Sequence, residues 1–342
     1  MQSIQEQHAQ ALHSELIVID GLQYSNWDRK IFEQLREGGV TMVHATIVYH
    51  EQIRETLTRI AEWNRLFELN SDLIMPVRSA ADIRLAKQLG KVGIMFGAQN
   101  CSPIEDDIGM IEVMRELNLM IMQLTYNNQS LLACGCYEAE DSGVTRFGRQ
   151  AIKEMNRVGM IVDMSHSGER STLDAIEISD RPIVISHANP LSFHEAKRNK
   201  SDRVLRALGE SGGLLGFSLY PFHLKNGPDC TLGDFCDMVA STADMMGIDQ
   251  IGIGTDLCQE QPLSVLEWMR NGRWSKSMDY GEGSKSNADW PRPLSWFRDS
   301  RDFPHLTNGL LERGFSREDV AKIMGLNWLN FLDAGLKPHS TF

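Results

Sequence analysis

Eight short apolar runs, spread along the whole chain, are the feature of this sequence that most restricts its fold. They are rich in Val, Ile, Leu and Met, and a polar loop and a helix-like apolar period follow each of them. The runs are Leu16–Asp20, Val40–Thr46, Val92–Ala98, Leu119–Tyr126, Met160–His166, Ile183–Ala188, Gly213–Leu219 and Ile251–Asp256. Continuous hydrophobicity is typical of strands covered on both faces, as in a parallel sheet surrounded by helices.

A closed barrel explains this pattern better than an open parallel sheet. Eight strands with crossover helices complete a (β/α)8 barrel, and 342 residues suffice for one. An open doubly wound sheet usually carries a glycine-rich phosphate loop after its first strand, and the segment Asp20–Tyr24 (DGLQY) is not one. We therefore predict an α/β fold, a single (β/α)8 or TIM-barrel domain over residues 1–342. A long excursion at about 259–304 is expected to pack over the helices or to form a lid or dimer contact.

The charge balance argues against nucleic acid and membrane partners. The chain has 34 Lys and Arg against 46 Asp and Glu, a formal net charge of -12, which repels phosphate backbones and anionic lipid. The segment Met1–Glu15 has no basic start and no apolar run, so it predicts neither a secretion signal nor a spanning helix. Six dispersed cysteines need no disulfide framework. These features predict a cytoplasmic protein with a small-molecule partner.

Polar side chains stand at the predicted ends of the strands, where barrel enzymes hold their catalytic groups. An apolar strand has no packing reason to end in His or Asp, and burying such a group unpaired is costly. A shared site at the barrel mouth would explain their presence. The residues at these ends are Asp20, His44, Gln99, Tyr126, His166, His187, Ser218, Tyr220 and Asp256.

Three of these residues are of the types that ligate a catalytic metal ion. His166 ends the motif VDMSH, His187 lies in VISHANP, and Asp256 ends GIGTD. Two imidazoles and a carboxylate can hold zinc or a comparable divalent ion and leave positions open for water and substrate. Such an ion lowers the pKa of bound water and so favours hydrolysis. His44 is a further candidate ligand, although we favour its interpretation as a histidine satisfied in the barrel wall.

These motifs give the chain a resemblance to the renal, or membrane, dipeptidase family, a branch of the amidohydrolase barrels. Three further motifs, TRFG at Thr145, EMNRVGM at Glu154 and KRN at Lys197, extend the resemblance from Ile17 to about Phe331. The resemblance implies a two-zinc hydrolase that cleaves dipeptides and related amides, usually as a homodimer. By position it also implies that His166 and His187 are metal ligands, that Asp256 is the catalytic aspartate, and that Arg198 grips the substrate carboxylate.

The chain departs from that family pattern at four positions of one site. The family supplies a His and an Asp after its first strand, where this sequence has Leu22 and Tyr24. Its bridging Glu aligns with Gln99, and its substrate-facing His aligns with Tyr126. Leucine cannot ligate, and a neutral phenol or amide is a poor substitute for a carboxylate.

We therefore expect at most one divalent ion, zinc before others, held by His166, His187 and Asp256, and a site without metal stays open. The leading hypothesis is a dipeptidase-like hydrolase that cleaves an amide bond in a small dipeptide or amino-acid-derived substrate. Two alternatives stay open, a metal-free lyase or isomerase and a non-catalytic small-molecule-binding homologue. The predicted catalytic residues are Asp256, Tyr126, His166 and His187, and the predicted substrate contacts are Arg198, Gln99, Tyr24 and Tyr220.

Overall fold

Parallel strands form a nearly closed ring in the computed structural model, which describes residues 4–277 and 280–338. The strands are β1 (Ile19–Gln23), β2 (Met42–Val48), β3 (Ile74–Pro76), β4 (Val92–Ala98), β5 (Leu119–Gln123), β6 (Ile161–Asp163), β7 (Val184–Ala188), β8 (Leu214–Phe217) and β9 (Ile251–Ile253). The α-helices are α1 (Ile4–Glu15), α2 (Arg29–Glu37), α3 (Ile53–Leu69), α4 (Ala80–Leu89), α5 (Gly109–Glu116), α6 (Arg146–Val158), α7 (Glu169–Ile178), α8 (Asp202–Glu210), α9 (Leu232–Met246), α10 (Leu263–Asn271), α11 (Phe303–Arg313), α12 (Arg317–Ala321) and α13 (Asn327–Gly335). Short 3-10 helices cover Ser102–Ile104, Pro221–His223, Gly227–Asp229, Ile248–Gln250 and Ser300–Asp302, and a π-helical turn covers Lys322–Leu326.

The ring runs in the order β1-β2-β4-β5-β6-β7-β8-β9 and is joined between its first and last strands. The Tyr24 amide donates to the Leu257 carbonyl over 3.1 Å across this seam. The buried Asp20 carboxylate accepts the Thr255 amide at 2.7 Å and the Thr255 hydroxyl at 2.6 Å. The predicted (β/α)8 barrel is therefore confirmed.

One strand was missed, and the bounds of several predicted strands are wrong. The short strand β3 was not predicted, since three residues ending in proline give almost no periodic signal; it pairs with β4 outside the ring. In addition, β1 and β2 begin and end a few residues later than predicted, whereas β5, β6, β8 and β9 end two or three residues earlier than predicted. Asp20 and His44 consequently lie inside their strands rather than at the ends.

Helix boundaries follow from local capping chemistry. The helix α6 begins after Thr145, whose side chain accepts a hydrogen bond from the Gly148 amide, and it ends at Gly159, whose φ of 72° is left-handed. The helix α9 begins after Thr231, whose side chain accepts from the Asp234 amide. Such caps fix where each helix starts and stops against the outside of the barrel. Within the described residues, no helix is long and apolar enough to cross a membrane.

The helix α13 covers the end of the barrel at which the strands begin. Its Trp328 is fully buried among strand-start residues such as Ile19, and its Nε1 donates to the Ile253 carbonyl over 2.9 Å. A Cβ on Gly21 or Gly252 would lie 2.2 or 2.7 Å from the Trp328 ring, so both positions need glycine. The interior of the barrel is therefore filled at this end.

Candidate functional site

A cavity of about 70 Å³ lies at the barrel mouth and collects most of the predicted site residues. The part of the excursion that follows β9 covers it, through Leu266, Met269 and Arg270 of α10 and through residues 280–282. His187 does not line the cavity itself but contacts His166, which does. The predicted residues that line the cavity are Tyr24, Gln99, Tyr126, His166, Arg198, Tyr220 and Asp256.

His166 and His187 meet with their Nε2 atoms 3.1 Å apart. The Nδ1 of His166 donates to Oδ1 of Asn127 over 2.6 Å, and its Nε2 lies 2.8 Å from Oε1 of Gln99. Burial, followed by the charge of Arg198, holds the pKa of both histidines well below the ordinary value. Both imidazoles are therefore neutral near neutral pH.

A hydroxyl and a carboxylate fix the orientation of His187. The Ser186 hydroxyl donates to Oδ2 of Asp163 over 2.5 Å and lies 2.7 Å from Nδ1 of His187. Because the hydroxyl proton is directed to the carboxylate, Nδ1 of His187 carries a proton and donates to the serine oxygen. The free electron pair of His187 consequently lies on Nε2, toward His166.

Arg198 places a buried positive charge in the cavity. The residue is only 2% exposed, and its Nη1 donates to the Ser165 carbonyl. Its Nη2 donates to the His187 carbonyl and to Nε2 of His166, both over 3.3 Å. Among residues 4–277 and 280–338, no carboxylate lies within ion-pair distance of this guanidinium. A buried cation held only by neutral acceptors favours an anionic ligand.

Asp256 is held at the cavity in an unusual backbone conformation. Its φ of 59° is left-handed, which costs a non-glycine residue about 1 kcal/mol or more. Burial raises the pKa of its carboxyl to about 7, although the charge of Arg198 acts in the opposite direction. Such strain is retained where the surrounding structure needs the side chain in one place, and a carboxyl that titrates near neutrality suits acid–base chemistry.

His223 is a cavity residue that the sequence reasoning missed. It lies on the 3-10 helix after β8, it is 4% exposed, and its Nδ1 is 3.1 Å from the Ser218 hydroxyl and 3.9 Å from Oδ2 of Asp256. Ser218 and Tyr220 were recognised at this strand end. The signal that could have extended the search is Pro221, which starts a tight helical turn that returns the chain to the mouth. Further cavity residues that were missed are Asn127, Asn128, Tyr137, Arg270 and Glu282.

The positions where the resemblance would place the first metal are occupied by an apolar cluster. Leu22 is fully buried and packs with Tyr24, Tyr49, Tyr126 and Met269. Burial raises the pKa of all three tyrosines far above the ordinary value, so they are neutral phenols. This cluster offers no anionic oxygen to a cation.

The donor set does not fit the two-zinc site that the resemblance implies. Within the described part of the chain, no group of three or more His, Cys, Asp and Glu side chains is arranged to hold an ion. The predicted ligand set is correspondingly not assembled, since His166 and His187 meet while Asp256 lies beyond ion-pair distance of both. His44 does not join them. Its Nδ1 donates to the Gly21 carbonyl over 2.6 Å inside the barrel wall, but its buried Nε2 has no hydrogen-bond partner among the described residues, so the ring is satisfied at one nitrogen only.

Comparisons with known proteins agree on one family. The family model described as membrane dipeptidase (peptidase family M19) matches residues 6–267. An amidohydrolase from Pseudomonas aeruginosa is similar in structure, with a TM-score of 0.91 and 39% identity over 96% of this chain and 99% of that one. The dipeptidase tcpJ of Claviceps purpurea and the dipeptidase verJ of Clonostachys rogersoniana are each 26% identical over 83% of this chain. The aligned part covers 61% and 66% of those two proteins.

Proposed function

Since this chain belongs to the membrane dipeptidase family, peptidase family M19, we propose that it is a dipeptidase-like hydrolase of a small dipeptide or amino-acid-derived amide. The observation that carries this proposal is Arg198, whose buried charge lacks a carboxylate partner among the described residues. A substrate carboxylate supplies that partner, because a planar guanidinium can donate two parallel hydrogen bonds to it. The substrate class is therefore a small molecule with a free carboxylate next to the scissile amide.

The groups around Arg198 suit amide hydrolysis. Asp256, with a pKa near 7, accepts a proton from the attacking water and returns it to the leaving nitrogen. The water oxygen bonds to the carbonyl carbon, the C–N bond breaks, and an amine and a carboxylic acid result. Neutral tyrosines at the cavity, Tyr24, Tyr126 and Tyr220, are donors for the carbonyl oxygen as negative charge develops on it.

We propose at most one divalent ion at this site, with zinc before others. A bound ion would polarise the carbonyl and lower the pKa of water. The neutral Nε2 atoms of His166 and His187 are the imidazole donors available to it, and Leu22 and Gln99 replace donors that a second ion would need. Elemental analysis of protein purified without added metal tests this directly. Two ions per chain would overturn the proposal.

The decisive activity experiment changes the substrate carboxylate and Arg198, the residue proposed to bind it. We compare kcat/KM for a dipeptide and for its C-terminal amide, in the wild type and in Arg198→Met. A charge-assisted hydrogen bond is worth about 1.5–3 kcal/mol, so the wild type should prefer the acid by roughly 10-fold to 150-fold per bond lost. In Arg198→Met this preference should disappear, whereas Arg198→Lys should retain part of it.

Two outcomes would contradict the proposal. One is that no dipeptide is hydrolysed, even after zinc or manganese is added. The other is that Arg198→Met still prefers the acid. Activity that survives a chelator and forms products without amide cleavage would favour the lyase or isomerase alternative, which the relatives do not support. Ligand-dependent thermal stabilisation without turnover would favour a binding protein.

The assembly and location are proposals of the same kind. We propose a homodimer, as the family resemblance implies, and light scattering at micromolar concentration tests it. A cytoplasmic location, proposed because the six dispersed cysteines need no disulfide framework, is tested by fractionation of cells that express the tagged protein.

A further inference from the structure

A second guanidinium group, that of Arg270, lines the cavity together with Arg198. Arg270 follows Leu266 by four residues in α10, so the two side chains share one face of that helix. Leu266 and its neighbour Met269 are buried and also line the cavity, so this face of α10 is directed toward the barrel. The helix therefore brings a positive charge into the cover of the cavity.

A neutral acceptor holds Arg270 in this position. Its Nη1 donates to the Ala288 carbonyl over 2.7 Å, and the residue is half-buried. This hydrogen bond orients the guanidinium but does not neutralise its charge. Among residues 4–277 and 280–338, no carboxylate lies within ion-pair distance of Arg270.

The next arginine in the chain is treated differently. Arg273 lies just after α10, and its Nη2 donates to both carboxylate oxygens of Glu55, over 2.6 and 2.5 Å. The fold thus supplies a carboxylate to the arginine at the surface and, within the described residues, none to the arginine that lines the cavity. The difference matches a role for Arg270 toward a ligand rather than toward the fold.

Two carboxylates do line the cavity, but other groups hold them. Oε1 of Glu282 accepts the Arg198 backbone amide at 3.2 Å and the Tyr137 hydroxyl at 3.3 Å. Neither Glu282 nor Asp256 lies within ion-pair distance of the Arg198 or Arg270 guanidinium. Two positive charges in one small cavity repel each other, and an anionic partner for each removes that repulsion.

The two guanidinium groups lie in different parts of the cavity. Arg198 is at its floor, where it donates to the Ser165 carbonyl just after β6, and after burial its charge is the largest influence on the pKa of Asp256. Arg270 lies instead near Tyr220, which follows β8. Burial and the charge of Asp256 raise the pKa of Tyr220, and the charge of Arg270 acts in the opposite direction. An amide that reacts at Asp256 would therefore have one guanidinium toward the floor and one toward the cover.

We propose that Arg270 binds a second carboxylate of the substrate, carried by the residue on the amino side of the scissile amide. This inference rests on the proposed hydrolase function and narrows its substrate class to dipeptides that begin with aspartate or glutamate and to amides with the same two charges. Arg198 binds the C-terminal carboxylate, and Arg270 binds the side-chain carboxylate at the other end. Arg270 determines specificity and takes no part in proton transfer.

The experiment uses two substrates that differ in one charged group. We compare kcat/KM for aspartyl-alanine and asparaginyl-alanine, which have the same shape. The wild type should prefer aspartyl-alanine by about 10-fold or more, because a charge-assisted hydrogen bond is lost with the amide. In Arg270→Met the two substrates should become equal, and Arg270→Lys should retain part of the preference.

The C-terminal carboxylate provides an internal control. Arg270→Met should still prefer aspartyl-alanine over its C-terminal amide as strongly as the wild type does, because Arg198 is intact. Arg292→Met removes an exposed arginine of the same excursion, which pairs with Asp229 over 2.5 Å, and should leave both preferences unchanged. A wild-type preference for aspartyl-alanine below about twofold, or a preference that persists in Arg270→Met, would overturn the inference.

A binding measurement keeps the inference testable without turnover. Calorimetry compares succinate, glutarate and adipate with the monocarboxylates of the same chain length. At least one dicarboxylate should bind the wild type about 10-fold more tightly than its monocarboxylate, and both Arg198→Met and Arg270→Met should abolish the difference. Equal affinities across the whole series would overturn the inference. The expected binding without hydrolysis of any dipeptide would contradict the hydrolase proposal alone, whereas hydrolysis of both dipeptides at equal rates would contradict the role of Arg270 alone.

Discussion

Replacement of Asp256 by Asn should stabilise the folded chain, and by more as the pH rises. Burial raises the pKa of this carboxyl from 3.8 to about 7. The folded chain therefore binds this proton more tightly than the unfolded chain, and the wild type loses stability as the pH rises from about 4 through about 7. Asparagine cannot ionise and tolerates the left-handed φ of 59° at this position, so the variant avoids this loss.

The size of the stability loss in the wild type follows from the pKa shift of Asp256. About three pKa units at 1.36 kcal/mol each give roughly 4 kcal/mol of lost stability in the wild type at pH 8. At pH 4 the carboxyl is protonated in the folded chain and only partly ionised in the unfolded chain, whose pKa is 3.8, so the two proteins should differ by less than about 1 kcal/mol. The same variant should lose hydrolysis at every pH, because the amide cannot accept the proton.

The assay is urea unfolding followed by circular dichroism at pH 4, 6 and 8, with the free energy of unfolding extrapolated to water. Asp106→Asn, at an exposed position, is the matched control, and its effect on the free energy of unfolding should be the same at all three pH values. An equal free-energy difference between Asp256→Asn and the wild type at pH 4 and pH 8 would refute the reasoning. Asp256 would then be ionised throughout this range and would not be a proton acceptor poised near neutrality.

Three further predictions concern metal content and packing. Joint replacement of Leu22 by His and Tyr24 by Asp restores two donors, and elemental analysis should then find one more zinc ion per chain than in the wild type. Gly97→Ala places a Cβ 1.6 Å from the His44 ring and should lower the free energy of unfolding by about 1–3 kcal/mol, measured by urea unfolding. In Gly233→Ala the closest atom is 3.7 Å away, so the free energy of unfolding should change by less than about 1 kcal/mol. Trp328→Ala should cost about 3–5 kcal/mol by thermal unfolding. Unchanged zinc content would contradict the first prediction, and equal stabilities of the two glycine variants would contradict the second. An unaltered Tm in Trp328→Ala would contradict the third.

The barrel was predictable because its strands are buried on both faces. The apolar run in β4 is typical of a strand covered on both faces, and capping residues such as Thr231 indicate where helices begin. The limits of β1 were predicted less well, because the residues from Leu16 to Val18 are as apolar as the strand itself. Apolarity reports burial, and it does not report which buried residues pair.

The site was predictable only where strand ends carry the polar groups. His166, Arg198 and Asp256 were found from their motifs, and the structure places all three at one cavity. His223 was missed because it belongs to a loop turn, whose path depends on contacts made after folding. The predicted joining of Asp256 with the two histidines failed for a related reason, since sequence gives the strand on which a residue lies but not the direction of its side chain.

The hydrogen bonds from Thr255 to Asp20 join residues that are separated by 235 positions in the chain. The ring therefore cannot close during synthesis until almost three quarters of the protein has emerged, and earlier intermediates have unpaired strand edges at both ends. Because Asp256 follows this last contact directly, truncated or interrupted chains should lack the acid–base group altogether and should depend on chaperones to avoid aggregation.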